Sequence, residues 1–333
     1  MNSDPTVAVV GATGAAGGTV LEVLHERNFP VGQLRVYASE RSAGKRLVTP
    51  VYELIVSAVH DDGLRECDVV FFAAGAQTSR EHAPIVAEAG GIAIDKSSAF
   101  RMDERVPLVV PEVNAETLSA HHGIVANPNC VAVPLCIAVA PLHREFGLRH
   151  ITVATYQSAS GAGKALMNEL IDQEFALFKG EVVKAEVYPH VLHGNVVPGG
   201  WAMEGDETEE EVKVRAETRR VLGLPELPIS VTTVRVPVLV GHAMAVWVEL
   251  EHEASADDAR RVLEDAPGVV VVDDPSIQLY PTPRDTEGTD AVWVGRIRAD
   301  RGRERGLAMF VAADNLRKGA ATNAVQIAEL LIG

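Results

Sequence analysis

Three observations predict an α/β protein: a doubly wound parallel sheet at the N-terminal side, followed by an α+β domain. The chain has 333 residues, enough for two domains with substantial cores. Apolar residues make up 47 % of it, with 28 glycines and only 5 % aromatics, a composition suited to helices packed closely on a sheet. From Thr6 onward, short apolar runs alternate with stretches of helical spacing, the pattern of parallel strands joined by helical crossovers.

The first strand is the β-branched run Thr6 to Val10. The turn Gly11-Ala12-Thr13-Gly14-Ala15-Ala16-Gly17 follows it, and then Val20, Leu21, Val23 and Leu24 recur at helical spacing. Glycine at positions 11, 14 and 17 lets the backbone turn tightly and approach a pyrophosphate seated on the helix N-terminus. A glycine-rich turn by itself is as often structural. Its placement between strand and amphipathic helix makes this one a Rossmann-type dinucleotide turn. The second strand, Leu34 to Ala38, ends in Ser39, Glu40, Arg41 and Ser42. A guanidinium flanked by hydroxyls suits the 2′-phosphate of NADP, while Glu40 is the opposing signal, an acid of the kind that binds an NAD ribose. Strands over Asp68–Ala74 and Gly91–Asp95, with a helical stretch Ile85–Ala89 between them, continue the alternation.

The texture changes after Cys130. Ile151–Gln157, Val231–Val236 and Ala243–Glu251 read as strands, and Lys164–Phe178, Glu207–Leu222 and Asp257–Asp265 as helices, with Gly223 a helix stop. Pro189 to Gly205 reads as a loop, and Gly319 to Leu331 as a last helix with Ala324, Ile327, Ala328 and Leu331 on one face. The mixed second domain offers a sheet that can serve in a dimer interface.

The formal charge of −16 discourages binding to nucleic acid or to anionic membranes, and an anionic substrate needs a local cluster of Arg and Lys to overcome it. Cys67, Cys130 and Cys136 form neither a disulfide framework nor a metal motif, and no metal site is suggested. With no signal-peptide pattern and no bilayer-length apolar run, a soluble cytoplasmic protein is expected.

Asn127-Pro128-Asn129-Cys130 precedes an apolar stretch, Val131 to Ala140, that continues as a helix. Pro and Asn make the turn, which sets Cys130 at the helix N-terminus, where unpaired amides and the helix dipole favour a reactive thiolate. A free Cys is more commonly a buried core residue. Cys67 and Cys136 fit that description, and the turn sets Cys130 apart.

Asn127-Pro128-Asn129-Cys130, Tyr156-Gln157-Ser158-Ala159-Ser160-Gly161-Ala162-Gly163, Arg235-Val236-Pro237 and Gly241-His242 together resemble the aspartate-semialdehyde dehydrogenase family. The likeness runs nearly end to end, through Ser97 to Met102, Pro111 to Asn114, Glu210 to Lys213, Gly295 to Arg298 and Asp314 to Gly319. It implies an NADPH-dependent reduction of L-aspartyl 4-phosphate to aspartate semialdehyde, on the route to lysine, threonine and methionine, by a homodimer or homotetramer. It also implies an NADP-binding domain over 1–129 and 315–333, and a catalytic and dimerisation domain over 130–314.

Carried over by residue, the resemblance makes Cys130 the nucleophile, His242 the acid/base and Gln157 an orienting group. Arg235 would hold the α-carboxylate and Glu210 the α-amino group. Arg101, Asn129 and Lys213 would bind the leaving phosphate. Ser160, Gly161, Gly163 and Asn315 would join Gly11, Ala12, Thr13, Gly14, Ala15, Gly17, Ser39, Arg41 and Ser42 at the cofactor. The chemistry itself asks for such groups: thiolate attack expels phosphate once cations neutralise it, and the thioester then accepts hydride. Without the resemblance, Arg101 and Lys213 read as solvated charges, Glu210 as part of a solvated acidic face, and His242 equally as a structural histidine.

The chain departs from the family at Val131, where Ser or Thr is usual, at Ala243-Met244, where Ser-Glu is usual, and at Gly199-Gly200-Trp201-Ala202-Met203-Glu204-Gly205-Asp206. The rival readings are a paralogous acyl-phosphate reductase such as N-acetyl-γ-glutamyl-phosphate reductase, and a catalytically silent scaffold on the same fold.

Overall fold

The computed structural model describes residues 4–333, and the chain forms two compact units. One is the chain up to Asn129 completed by Gly319–Gly333; the other is Cys130–Lys318. The sequence reading put the later crossing at 315, whereas residues 315–318 stay with the second unit. Asp314 Oδ1 accepts from the amides of Leu316 and Arg317, and Arg317 pairs with Asp290 at 2.9 Å, which fastens this segment.

The first unit carries a parallel sheet of six strands: Thr6–Val10, Gln33–Ala38, Ser57–Ala58, Val69–Phe72, Ile92–Asp95 and Ile124–Ala126. Taken in that sequence order, they lie third, second, first, fourth, fifth, sixth across the sheet, so the direction of winding reverses between the first and fourth. That reversal opens a crevice at the carboxyl ends of these two strands. Both faces are buried, because alternate residues point opposite ways. Val7, Val9 and Phe71 enter one core with Leu21 and Leu24, while Ala8, Val10, Val70 and Phe72 enter the other with Ala83 and Val86. The first core is completed by Ala324, Val325, Ile327 and Ala328 of the final helix. That helix runs Thr322–Ile332 rather than from Gly319, behind a π-helical turn over Arg317–Ala321.

The second unit is built on a mixed sheet, in the spatial order Ile229–Thr232, Leu148–Tyr156, His242–Leu250, Gly306–Ala313, Val292–Ala299, Val269–Val271. The three interior pairings are antiparallel and the two outer ones parallel. The helices are Ala132–Phe146, Lys164–Lys179, Glu209–Leu222 and Ala256–Glu264, with shorter turns between. Thr208 and Glu211 close a capping box at the start of Glu209–Leu222, and Gly223 ends it in the left-handed conformation.

Two sequence expectations are corrected here. The strand expected over Val231–Val236 occupies only Ile229–Thr232. Beyond it the main-chain donors are taken elsewhere: Thr233 N by Glu211, Val234 N by Thr155 Oγ1 and Arg235 N by Val197 O. The sequence pattern marks no strand over Val292–Ala299 or Gly306–Ala313, yet both occupy inner positions of the sheet. Gly306–Ala313 is rich in Ala, Leu and Met and buried at nearly every position, so neither β-propensity nor alternation marks it.

Candidate active site

In the first unit, the Gly11–Gly17 turn follows the first strand as expected. Gly11 has φ +87° and its amide donates to Tyr37 O at 2.8 Å, which bends the chain sharply. A side chain at Gly11 would meet Ala73 backbone at 2.8 Å, and one at Gly17 would overlap the Gly11 carbonyl. Neither position therefore admits a side chain. Helix Ala15–Glu26 begins behind Gly14 with no side-chain cap, so its first amides are served by no capping side chain. Ser39, Glu40 and Arg41 are exposed beyond the second strand and Ser42 is half-buried, on a single helical turn.

Also in this unit, Arg101 is buried, donating from Nε to Asn127 O at 3.0 Å and from Nη2 to Lys96 O at 2.5 Å. Asn127 is itself held by Asn323, whose amide donates to it at 2.8 Å, and Asn129 is buried beside this segment in the chain. Arg101 is thus a structural strut of the turn that ends at Asn129, in addition to any role toward phosphate.

In the second unit, Cys130 stands just before the Ala132–Phe146 helix and is half-buried. The other two thiols are buried, and burial pushes that of Cys67 up to about 11 and that of Cys136 higher still. Cys130 Sγ lies 3.3 Å from His242 Nε2. His242 opens its strand behind Gly241, which has φ +90° and no room for a side chain against Pro283 O.

The other side of the imidazole is fully engaged. His242 Nδ1 accepts from the Ser158 amide at 3.0 Å, and Ser158 Oγ lies 3.0 Å from the same atom. Ser158 Oγ, Ser160 Oγ and Gly241 N all donate to Asn315 Oδ1, at 3.1, 2.9 and 2.9 Å. A nitrogen that accepts from a main-chain N–H carries no proton, so the neutral ring bears its proton on Nε2, toward the sulphur. Burial, and secondarily the Arg235 guanidinium, hold the imidazole well below its usual 6.5.

Gln157 ends the neighbouring strand, and its amide nitrogen lies 3.3 Å from Glu210 Oε1, in the first turn of the capped helix. Arg235 pairs with Gln157 through a parallel bridge and sends Nη1 to Ser158 O at 2.7 Å. Both are almost wholly buried. Gly161 lies under this cluster: a Cβ there would come within 2.9 Å of Arg235 Nη1 and of His242 Nε2. Gly163, with φ +89°, turns the chain into helix Lys164–Lys179. Lys213 pairs with Glu209 at 2.9 Å on the helix surface.

The structure therefore gathers Cys130, His242, Gln157, Glu210, Arg235, Ser160, Gly161 and Asn315 in the second unit, and the glycine turn with Ser39, Arg41 and Ser42 in the first. Ser158 was missed as a site residue, although it stands inside the Gln157–Gly163 motif. Its amide fixes the ring by donating to Nδ1, the opposite polarity to a carboxylate, which would accept from Nδ1–H. Val131, Ala243 and Met244, the departures from the family pattern, are buried apolar residues. Among the described residues, no group of three or more His, Cys, Asp or Glu is placed to hold a metal ion. Nor is any helix long and apolar enough to cross a membrane.

Comparison with known proteins follows the same division. Residues 6–121 match the NAD-binding domain of semialdehyde dehydrogenases, and residues 139–318 match their dimerisation domain. The class defined by fold and site is an oxidoreductase with an NAD(P)-binding domain and a thiol–imidazole pair. The aspartate-semialdehyde dehydrogenase of Aquifex aeolicus is 47 % identical over 98 % of this chain and 97 % of its own. The structure of aspartate semialdehyde dehydrogenase II from Vibrio cholerae, complexed with ASA, superposes with a TM-score of 0.95 at 41 % identity, covering 99 % of both chains. That of Candida albicans aspartate semialdehyde dehydrogenase with NADP gives 0.76 at 25 % identity, covering 99 % and 98 %. The chain belongs to the aspartate-semialdehyde dehydrogenase family, and through it to the enzymes of amino-acid biosynthesis.

Proposed function

We propose that this enzyme reduces L-aspartyl 4-phosphate to L-aspartate 4-semialdehyde with NADPH, through an acyl thioester on Cys130. The observation that carries the reading is the 3.3 Å approach of Cys130 Sγ to His242 Nε2, beside Arg235 and Glu210. Cys130 thiolate, accepting a hydrogen bond from Nε2–H, attacks the acyl carbon; the carbon–oxygen bond to phosphate breaks and phosphate leaves. NADPH, when bound, would supply the hydride that the thioester carbon accepts. The resulting alkoxide collapses to the aldehyde, the carbon–sulphur bond breaks, and Nε2–H again receives the thiolate. Throughout, Arg235 grips the α-carboxylate, Glu210 the α-amino group, and Gln157 orients the acyl group between them. Arg101, Asn129 and Lys213 supply contacts for the phosphate.

The turn at Gly11–Gly17 fits a dinucleotide pyrophosphate, since its curvature depends on glycines whose side chains would collide with the backbone of Ala73 and Gly11, and it leads into a helix start with no side-chain cap. Arg41 with Ser39 and Ser42 favours the 2′-phosphate of NADP, the nucleotide with which the Candida albicans relative was solved. Ser160, Gly161, Gly163 and Asn315 bound the nicotinamide end, Asn315 by fixing Ser158 and Ser160. We assign the protein to the cytoplasm as a homodimer or homotetramer, in keeping with its dimerisation domain.

The test is the reverse reaction: L-aspartate 4-semialdehyde, phosphate and either NADP or NAD, followed by absorbance of the reduced nicotinamide. Phosphate-dependent reduction that prefers NADP and is lost by at least about three orders of magnitude in Cys130→Ala is expected. Full activity in Cys130→Ala, or N-acetylglutamate semialdehyde as the better substrate, overturns the reading.

A further inference from the structure

Arg235 is buried, yet its guanidinium is only partly paired. Nη1 donates to Ser158 O, while Nε is enclosed with no hydrogen-bond partner. A buried donor left in this way costs free energy, so packing and not a full set of hydrogen bonds must hold the guanidinium in place. The same group lies over two aromatic rings. Arg235 Cζ lies 4.7 Å from the Trp201 ring centroid and 5.9 Å from that of Tyr188.

The loop that delivers Trp201 is braced at both ends. Val197 and Arg235 exchange two main-chain hydrogen bonds, of 2.9 and 2.8 Å, so the loop leaves directly from the strand partner of the arginine. Tyr188 Oη donates to Gly199 O at 2.5 Å, and Gly200, with φ +89°, packs so close to that phenol that a Cβ would overlap it. On the far side, Ala202 O accepts from Glu209 N at 2.8 Å, at the first turn of the helix that carries Glu210. Trp201 is thus fixed between the two residues assigned to the substrate's α-substituents. It belongs to the segment where this chain departs from the family pattern.

We infer that Trp201 is a positioning residue for substrate recognition, its indole holding the Arg235 guanidinium in the place from which it meets the α-carboxylate. The inference rests on the reading of Arg235 given above. A cation stacked on indole and shielded from water is held more firmly than one on a flexible, solvated stem, and a planar fork binds a carboxylate only when its plane is set. The effect falls on binding of the amino-acid end of the substrate, because neither the sulphur nor the phosphate touches Trp201 in this scheme.

The experiment measures KM for L-aspartate 4-semialdehyde and for phosphate, with kcat, in Trp201→Ala, Trp201→Phe, Arg235→Lys and the double variant Trp201→Ala/Arg235→Lys. Trp201→Ala is expected to raise KM for the semialdehyde about five- to tenfold, with kcat and the phosphate KM within about twofold. Trp201→Phe restores most of the loss, and in the Arg235→Lys background the same replacement adds little. An unchanged semialdehyde KM in Trp201→Ala, equal shifts in all three constants, or a Phe variant no better than Ala overturns the proposal while leaving Arg235 in place. If Arg235→Lys alone leaves the semialdehyde KM unchanged, the reading of Arg235 falls, and this proposal with it.

Discussion

The Gly11–Gly17 turn is made of main chain. Its curvature comes from a positive φ at Gly11, its close packing from the missing side chains at Gly11 and Gly17, and its donors from a helix start without a side-chain cap. Around Cys130 the balance is reversed. Side chains from six separate segments meet there, and the main chain serves to aim them: Ser158 N at His242, Ser158 O at Arg235, Gly241 N at Asn315. A site of the first kind is local in sequence and intolerant of any added atom. One of the second kind is scattered through the sequence and depends on a few shared anchors, of which Asn315 Oδ1 has three donors.

The sharpest way to separate the two is Gly17→Ala. A Cβ overlapping the Gly11 carbonyl must displace the turn and with it the amides proposed to meet a pyrophosphate. The expected result is NADP affinity weaker by about a thousandfold, read by nucleotide fluorescence titration, with the alkylation rate of Cys130 unaltered. A change in that alkylation rate would break the distinction between the two regions.

Gly161→Ala probes the opposite case. The new methyl meets Arg235 and His242 at 2.9 Å and must push one of them aside. A displacement of that order costs kcat/KM about a hundredfold, well beyond any loss of NADP affinity from the crowded nicotinamide end. Wild-type turnover would mean that the cluster repacks freely.

A smaller effect lies in the pH dependence of stability. His242 is held below its ordinary 6.5 in the folded chain, so between its folded value and 6.5 the unfolded chain binds the proton and the folded one does not. Stability contributed by this group is fully present above 6.5 and declines as the pH falls through that window, by at most about 1.4 kcal/mol per pH unit. Urea melts at pH 7.5, 6.5 and 5.5 should show a steeper acid-side decline in the parent than in His242→Gln. Equal slopes would show that His242 keeps an ordinary affinity for protons.

The same contrast explains what the sequence disclosed. The glycine turn was legible because strand, glycines and helix are contiguous and each has a local signature. Cys130, Gln157, Arg235 and His242 were legible only as separate motifs joined by resemblance, since no spacing brings residues 130 and 242 together. Ser158 and Asn315 escaped as anchors of the imidazole because their work is done by hydrogen bonds between distant segments. Trp201 escaped because the loop that carries it has no periodicity, and its position depends on Tyr188 and two glycines. In the fold, the parallel sheet followed from apolar runs flanked by helices, whereas the Ala-rich strand Gly306–Ala313 was hidden by its helix-forming residues.

The core begun by Val7, Val9, Leu21 and Leu24 is completed by Ala324, Val325, Ile327 and Ala328. On the ribosome these two halves of one core emerge far apart in time, roughly 15–60 s at ordinary rates of elongation. For that interval this face of the first sheet has the Ala15–Glu26 helix but lacks its second cover, while the whole of the second unit is being synthesised. The nascent chain thus carries an apolar groove shaped for its own last helix, a surface that chaperones and proteases meet before the helix does.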